Sequence, residues 1–367
     1  MFETNPYLGR PDHAFWRQGV AAPATAGVDP VTALPFRIAP GDRVATAGSC
    51  FAQHLARSLG GFGITPLVTE HFAASAGVRD EGFGIFPARF GNIYTTAQLF
   101  QLFERAYGMR RPRLRAWTLP CGGLVDPFRP RVQAGGFPDL DALEADRLRH
   151  LAAVRRMFET CDVFVFTLGL TEGWVAAEDG AAVPLHPGVL GIATPPGEWR
   201  FDNAGFAACH AALAGFVDAL RSVNPAVRIM LTVSPVPLVA TFEDRHVLVS
   251  TTASKAVLRA VADQVCRDDP RIAYFPSYEV ITGPQARGCF FGTDLREVTP
   301  EGVAAVMALF GRHAIEAAAP VPVEPLHRGA PTPPAAVPVS ATEAAAYDAL
   351  SGVVCDEDAI VAPGDPA

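Results

Sequence analysis

This sequence predicts an α/β fold built on a doubly wound parallel sheet, and three observations carry the prediction. Four short runs, at residues 43–47, 163–168, 228–233 and 272–275, are apolar on both faces. Each ends in a glycine or in a Ser-Pro or Pro-Ser pair, at Gly48, Gly169, Ser234-Pro235 and Pro276-Ser277. Stretches with apolar residues at helical spacing lie between them, near 95–107, 141–160, 204–222, 253–268 and 300–318. Strands apolar on both faces, alternating with helices, are what a parallel sheet covered on both sides requires.

The chain has 367 residues, 49% of them hydrophobic, which is enough for one large core. Its formal net charge of -8 argues against nucleic acid or an anionic membrane as partner, because both reward clustered Lys and Arg. The densest basic run, Arg110, Arg111, Arg113 and Arg115, reads as a solvated loop. The seven cysteines are scattered with no CxxC or Cys/His spacing, so neither a disulfide framework nor a metal site is expected. Dinucleotide and P-loop spacings are absent, and no cofactor is expected. The first residues show no export signal and no uninterrupted apolar run reaches transmembrane length. A cytoplasmic chain without membrane association is therefore the expectation.

Residues 1–40 carry Pro6, Pro11, Pro23, Pro30, Pro35 and Pro40, which block regular structure. Phe2, Tyr7, Phe15, Trp16 and Phe36 make this stretch too aromatic for a free tail, so it is expected to be an arm packed on the domain. The domain proper is expected over 41–316. Its opening unit is the run 43–47, Gly48, and a helical pattern from Phe51 to Leu59 that Gly60 and Gly61 stop. From 317 to 367 the chain is rich in Pro and Ala, as in Pro331-Thr332-Pro333-Pro334. Such a segment buries too little apolar area to offset its ordering entropy, so it is expected to be largely disordered, with a short helix near 342–350.

The candidates for chemistry follow strand ends, where ligands bind in open α/β sheets. Ser49 lies between a strand and a helix start, where free N–H groups and the helix dipole can stabilise an oxyanion. A serine there is also an ordinary helix N-cap, and spacing alone favours that reading. Cys50 is a second nucleophile in principle, although a cysteine at the start of an apolar helix more often packs as a small hydrophobe.

The segment Gly48-Ser49-Cys50-Phe51-Ala52 resembles the signature of the GSCFA domain family, which is similar to the SGNH/GDSL hydrolases. Further matching stretches are Phe83-Gly84-Ile85-Phe86, Gly91-Asn92-Ile93-Tyr94-Thr95, Phe166-Thr167-Leu168-Gly169-Leu170-Thr171-Glu172, Leu231-Thr232-Val233-Ser234-Pro235-Val236-Pro237 and Tyr274-Phe275-Pro276-Ser277-Tyr278-Glu279. The resemblance spans about residues 40–312. It implies a three-layer, flavodoxin-like sandwich with Ser49 as nucleophile. It also implies Gly91, with Asn92 beside it, and Gly169 with Thr171 as the oxyanion group, Thr171 standing where the family pattern has Asn. The last block, Asp-x-x-His in such hydrolases, reads Asp294-Leu295-Arg296-Glu297 here, so its histidine is replaced by Glu297.

A serine nucleophile needs a base, and a carboxylate serves only if burial raises its pKa. His246, ahead of the 253–268 helix, is the expected base, with Glu297 in reserve beside Asp294; His54, over one turn from Ser49 on the same helix, is expected to point along it or into packing, and His186 lies in a loop after a strand. Glu172 and Glu279 also follow strands and could orient a base, or could be buried carboxylates bonded to N–H groups. Lys255 could bind an anionic substrate group, or could be a surface charge. The expected function is a serine ester hydrolase or acyltransferase acting on an acylated carbohydrate or small ester. The alternative is a catalytically silent protein that binds a glycan or acyl group in the same cleft.

Overall fold

The structure is a computed structural model that describes residues 5–72, 82–316 and 360. The expected disordered tail with its short helix therefore lies outside the described residues, apart from Ile360. In chain order the elements are β1 (Val44–Gly48), α1 (Cys50–Leu59), α2 (Thr96–Ala106), β2 (Trp117–Thr118), β3 (Leu124–Val125) and α3 (Leu140–Thr160). There follow β4 (Val163–Leu168), β5 (Glu172–Ala176), β6 (Ala182–Val183), β7 (Trp199–Asn203) and α4 (Phe206–Val223). The last are β8 (Arg228–Val233), α5 (Val247–Asp268), β9 (Ile272–Tyr274), α6 (Ser277–Thr282) and α7 (Pro300–Ala314).

Strands β1, β4, β8 and β9 form a parallel sheet in that spatial order. On the free edge of β1, Val44 makes one parallel bridge to Pro66, and the Leu67 N–H donates to the Val44 carbonyl at 2.9 Å. Counted as a vestigial strand, residue 66 gives the order second, first, third, fourth, fifth. That is the doubly wound topology, with its switch point between β1 and β4. Pro66 has no N–H to extend the ladder, so this strand never grows beyond a bridge.

Successive residues of each strand face opposite sides. Val44, Val163, Val165 and Met230 pack with Phe51, Leu55 and Leu59 of α1 and Val306, Leu309 and Phe310 of α7. Ala45, Phe164, Phe166, Ile229 and Leu231 pack with Leu99, Met157, Phe216 and Leu258 of α2 to α5. Phe164 sits 5.8 Å from Phe158 and 5.4 Å from Phe216, centroid to centroid, and truncating it to alanine would cost about 3–5 kcal/mol. The fold class is thus the three-layer α/β sandwich expected.

Three features differ from the sequence reading. A second sheet, with β5 between β6 and β7, is antiparallel and stands beyond the C-terminal end of β4. Helix α5 begins at Val247, six residues early, because its first turn is rich in β-branched residues that weaken the helical signal. Helix α4 is long and apolar enough to cross a membrane by length and composition, although its buried face packs against α2 and α5. In the arm, Val31 and Ile38 are buried with α7, whereas Tyr7 and Trp16 stand exposed. Ile38 pairs in parallel with Ile315: its N–H donates to the Ala314 carbonyl at 2.6 Å, and its carbonyl accepts from Glu316 at 2.9 Å.

Candidate active site

Ser49 sits where β1 passes into α1, at the switch point. Gly48 makes the turn with φ +141, and a Cβ there would come within 2.4 Å of the Thr167 carbonyl. The adjacent strand end thus demands glycine before the serine. Ser49 is the N-cap of α1 yet its hydroxyl caps nothing, whereas Thr95, Asp139, His246 and Thr299 cap α2, α3, α5 and α7 through their side chains. Ser49 Oγ is buried with no hydrogen-bond partner, and the residue is 3% exposed. The N-cap role that spacing alone favours is therefore unfilled, at a cost for a buried hydroxyl of about 1–3 kcal/mol.

Two segments enclose the hydroxyl. The Ile93 N–H donates to the Gly48 carbonyl at 2.8 Å, which lays residues 91–94 beside the strand end. Asn92 is buried and accepts from Gln53 Nε2 of α1 at 3.0 Å. From the other side, Gly169 approaches so closely that a Cβ there would lie 3.2 Å from Ser49 Cβ and 3.0 Å from the Tyr94 carbonyl. The N–H groups of Gly169 and Leu170 both donate to that carbonyl, at 3.1 and 2.9 Å. Of the expected oxyanion group, Gly169 lies against Ser49 and Asn92 is tied to Gln53 of α1, but the Gly169 N–H is already engaged. Thr171 is a correction: its hydroxyl donates to Asn203 Oδ1 at 2.7 Å and its N–H to Ser254 at 3.0 Å, so neither faces a substrate oxygen.

Lys255 is a second correction. It is interior, 1% exposed, and its ammonium donates to the Gly169 carbonyl at 2.7 Å. It holds the loop behind the serine rather than meeting a substrate anion. Glu172 is buried and accepts from the Thr241 hydroxyl at 2.8 Å and the Phe242 N–H at 3.3 Å, fixing the loop after β8.

The expected bases lie elsewhere. His246 is exposed and its Nδ1 accepts from the Leu248 N–H at 3.1 Å, as cap of α5. Ser254, which touches the 169–171 loop, is two helical turns further along α5, so His246 stands roughly 12 Å beyond that level. Asp294 and Glu297 are both exposed, and Asp294 accepts from the N–H groups of Arg296 and Glu297 at 3.0 and 3.1 Å. No apolar pocket encloses Glu297, so the condition for a carboxylate base is unmet there. His54 packs on Phe51 at 5.8 Å and shares a small gap with Thr167, Ser277 and Met307; burial, with Arg57 nearby, lowers its pKa to about 4. Glu279 pairs with Arg259 at 2.6 Å and accepts from the Tyr274 hydroxyl at 2.8 Å.

Two cavities that share Pro184 in their walls are lined by neighbours of the serine, although Ser49 itself lines neither. The larger, about 790 Å³, reaches the site through Tyr94 and Leu170 and is lined by Trp174, Phe201, Phe242 and His186. Trp174 lies 5.6 Å from Phe201, 4.8 Å from Phe242 and 4.5 Å from His186, so the rings form one aromatic wall. Burial lowers the His186 pKa, and its Nδ1 accepts from the Gly188 N–H at 3.0 Å. The smaller cavity, about 300 Å³, reaches the site through Gln53, Gly91 and Asn92. Sequence reading missed this aromatic wall because its members come from β5, β7 and the loop after β8; the clue was three large aromatics in segments too polar for core strands. Among the described residues, no three His, Cys, Asp or Glu side chains gather as a metal site.

A doubly wound α/β sandwich with a serine at its switch point is the class that fold and site define. Within it the particular family is known: the GSCFA family model matches residues 43–310, and the chain belongs to that family. No curated protein matches the chain. Among solved structures, it is similar to an acetyl esterase mutant crystallised with acetate ion, at 11% identity over 74% of this chain and 95% of that one, with TM-score 0.32. It is also similar to a carbohydrate esterase family 3 protein from Talaromyces cellulolyticus, at 10% identity over 60% and 88%, with TM-score 0.26.

Proposed function

We propose that this chain is a cytoplasmic serine ester hydrolase or acyltransferase of the SGNH type, acting on an acylated carbohydrate or other small ester. The observation that carries the reading is the Ser49 hydroxyl, buried without a partner at the N-terminus of α1, where it leaves the cap role unfilled. In this reading Ser49 Oγ attacks the acyl carbonyl and an O–C bond forms. Charge gathering on the carbonyl oxygen meets the positive end of the α1 dipole, helped by Gly91 and Asn92. The alcohol then leaves, and water or another hydroxyl takes the acyl group from the serine. The aromatic wall of the larger cavity suits an apolar face of the substrate.

Acylation needs residues 91–94 to ease away from the enclosed hydroxyl, and a base to take its proton. Among the described residues, no histidine or carboxylate is bonded to Ser49 Oγ. Without one the enzyme forgoes the roughly 10²–10⁴-fold of general-base catalysis until ligand binding brings a base into reach. His246 and Glu297 remain the proposed acceptors, His246 first. Turnover of short acyl esters by the intact chain and by Ser49→Ala tests the reading: slow hydrolysis that vanishes with Ser49→Ala is the expected result. The enclosure of Ser49 and the lack of a contacting base favour a second reading, a silent glycan- or acyl-binding module. Saturable glycan binding with no ester turnover would replace the first reading by the second.

A further inference from the structure

The larger cavity has a buried end and an open end. At the buried end Leu170 follows Gly169, whose Cβ position lies 3.2 Å from Ser49 Cβ, and the Tyr94 carbonyl accepts from the N–H groups of both. Tyr94, Leu170 and Leu238 form a buried apolar cluster there, with Val247 packed against it. The open end carries Phe242, 67% exposed, and Ile360, 39% exposed. The cavity thus leads from the loop that abuts the serine out to solvent. An acetyl group would leave most of its 790 Å³ unfilled.

The polar side chains on this wall are bonded within the protein. Glu172 accepts from the Thr241 hydroxyl at 2.8 Å and the Phe242 N–H at 3.3 Å, and Thr241 Oγ1 accepts from the Glu243 N–H at 3.1 Å. Gln98 Oε1 accepts from the N–H groups of Tyr94 and Thr95 at 3.0 Å, and Thr95 Oγ1 accepts from the Gln98 N–H at 3.1 Å. With these groups committed, the described wall offers mainly apolar surface, where the hydroxyl groups of a sugar would lose water without finding partners. The rings do not form a flat slot either. Trp174 meets His186, Phe201 and Phe242 at 60°, 63° and 69°, and Phe201 meets Phe242 at 48°. Rings tilted in this way, with Leu185, Val189 and Leu238 beside them, make an uneven surface that a flexible chain can follow and a rigid plate cannot. Ile360, which reaches this wall from beyond the domain, is itself aliphatic.

We propose that the larger cavity takes the acyl group of the substrate, and that this group is an aliphatic chain of medium length, with octanoyl as the type, rather than acetyl. The ligand assignment stands on the cavity; only its attachment to Ser49 rests on the function proposed above. With its carbonyl beside the serine, the chain runs past Tyr94 and Leu170 to the aromatic wall, and the alcohol part of the ester stays outside. Each methylene removed from water adds to binding, so affinity rises with chain length until the open end is reached.

Titration calorimetry of the full chain with octanoate and with acetate isolates the aliphatic part, since both carry the same carboxylate. Octanoate is expected to bind at least a hundredfold more tightly. Phe242→Ser removes a largely exposed ring from the wall, and is expected to weaken octanoate roughly tenfold in a chain still folded by circular dichroism. Equal binding of octanoate and acetate, or equal octanoate binding with and without the Phe242 ring, overturns the proposal. Cinnamate or glucose bound more tightly than octanoate overturns the aliphatic assignment. Failure of the function reads differently: octanoate bound tightly by a chain that hydrolyses neither nitrophenyl octanoate nor nitrophenyl acetate sinks the proposed function and leaves the cavity's ligand standing.

Discussion

Two segments in which the sequence placed candidate site residues are anchored in opposite ways. Residues 169–172 are fastened to the rest of the molecule: Gly169 and Leu170 to Tyr94, the Gly169 carbonyl to Lys255, and Thr171 to Ser254 and Asn203. In residues 292–297 the described bonds are local: Asp294 accepts from its own turn, and the Gly292 N–H donates to the Glu297 carbonyl at 2.8 Å. The first is a rigid wall that sets where Ser49 can be. The second is an exposed turn that can change without disturbing the serine. Positioning in this protein is therefore built in, whereas proton transfer is not.

The largest effect should come from the serine itself: Ser49→Ala should abolish ester turnover, to below about 10⁻³ of the intact chain, while leaving the melting temperature equal or higher, because it removes an unpartnered buried hydroxyl. Steady-state hydrolysis and calorimetric melting would check both halves. Next is the wall. Lys255→Met leaves the Gly169 carbonyl without its donor and should cost about 1–3 kcal/mol in urea unfolding, with turnover falling in parallel. A stable Lys255→Met chain with full turnover would break the contrast between the two segments.

The buried side should also be the pH-sensitive side. His150 and His54 titrate lower when folded than the usual 6.5, so their contribution is complete above that value and is lost as pH falls from 6.5 towards 4. Glu70, held at about 2, loses its contribution between about 4.5 and 2. Melting temperature should therefore drop in two stages on acidification, and His150→Gln should flatten the first. The smallest effects belong to the exposed groups. Glu297→Gln should change stability by less than about 0.5 kcal/mol, and His246→Ala by about 1 kcal/mol through its lost cap. A hundredfold loss of turnover in His246→Ala at unchanged stability would show that the loop descends on the serine after all.

The parallel strands were legible because both faces of Val163–Leu168 and Arg228–Val233 are apolar, and the serine because a glycine, a serine and a helical pattern adjoin. The strand at Pro66 was not legible, since it consists of one bridge and is made by tertiary contact alone. Nor was the second sheet, where β7 reads Trp199-Arg200-Phe201-Asp202-Asn203 and carries two charges in five residues. Lys255 could have been placed better. Ser250, Ser254, Leu258, Val261 and Val265 recur at helical spacing, and this buried stripe carries the lysine beside it into the interior. The exposed place of His246 was not legible for another reason: position after a strand limits where a chain passes, but not which way a loop of a dozen residues folds back.

The Ile38–Ile315 pairing has a mechanical meaning. The two segments run in the same direction, so tension applied to the chain on either side of the domain pulls them past one another instead of peeling them apart. Both bridging hydrogen bonds then bear the load together. The clamp lies by the start of β1, next to Asp42 and Arg43, at the end of the sheet opposite Ser49. A pull on the flanking chain is thus absorbed at the base of the sandwich, and the crevice around the serine keeps its shape until that clamp slips.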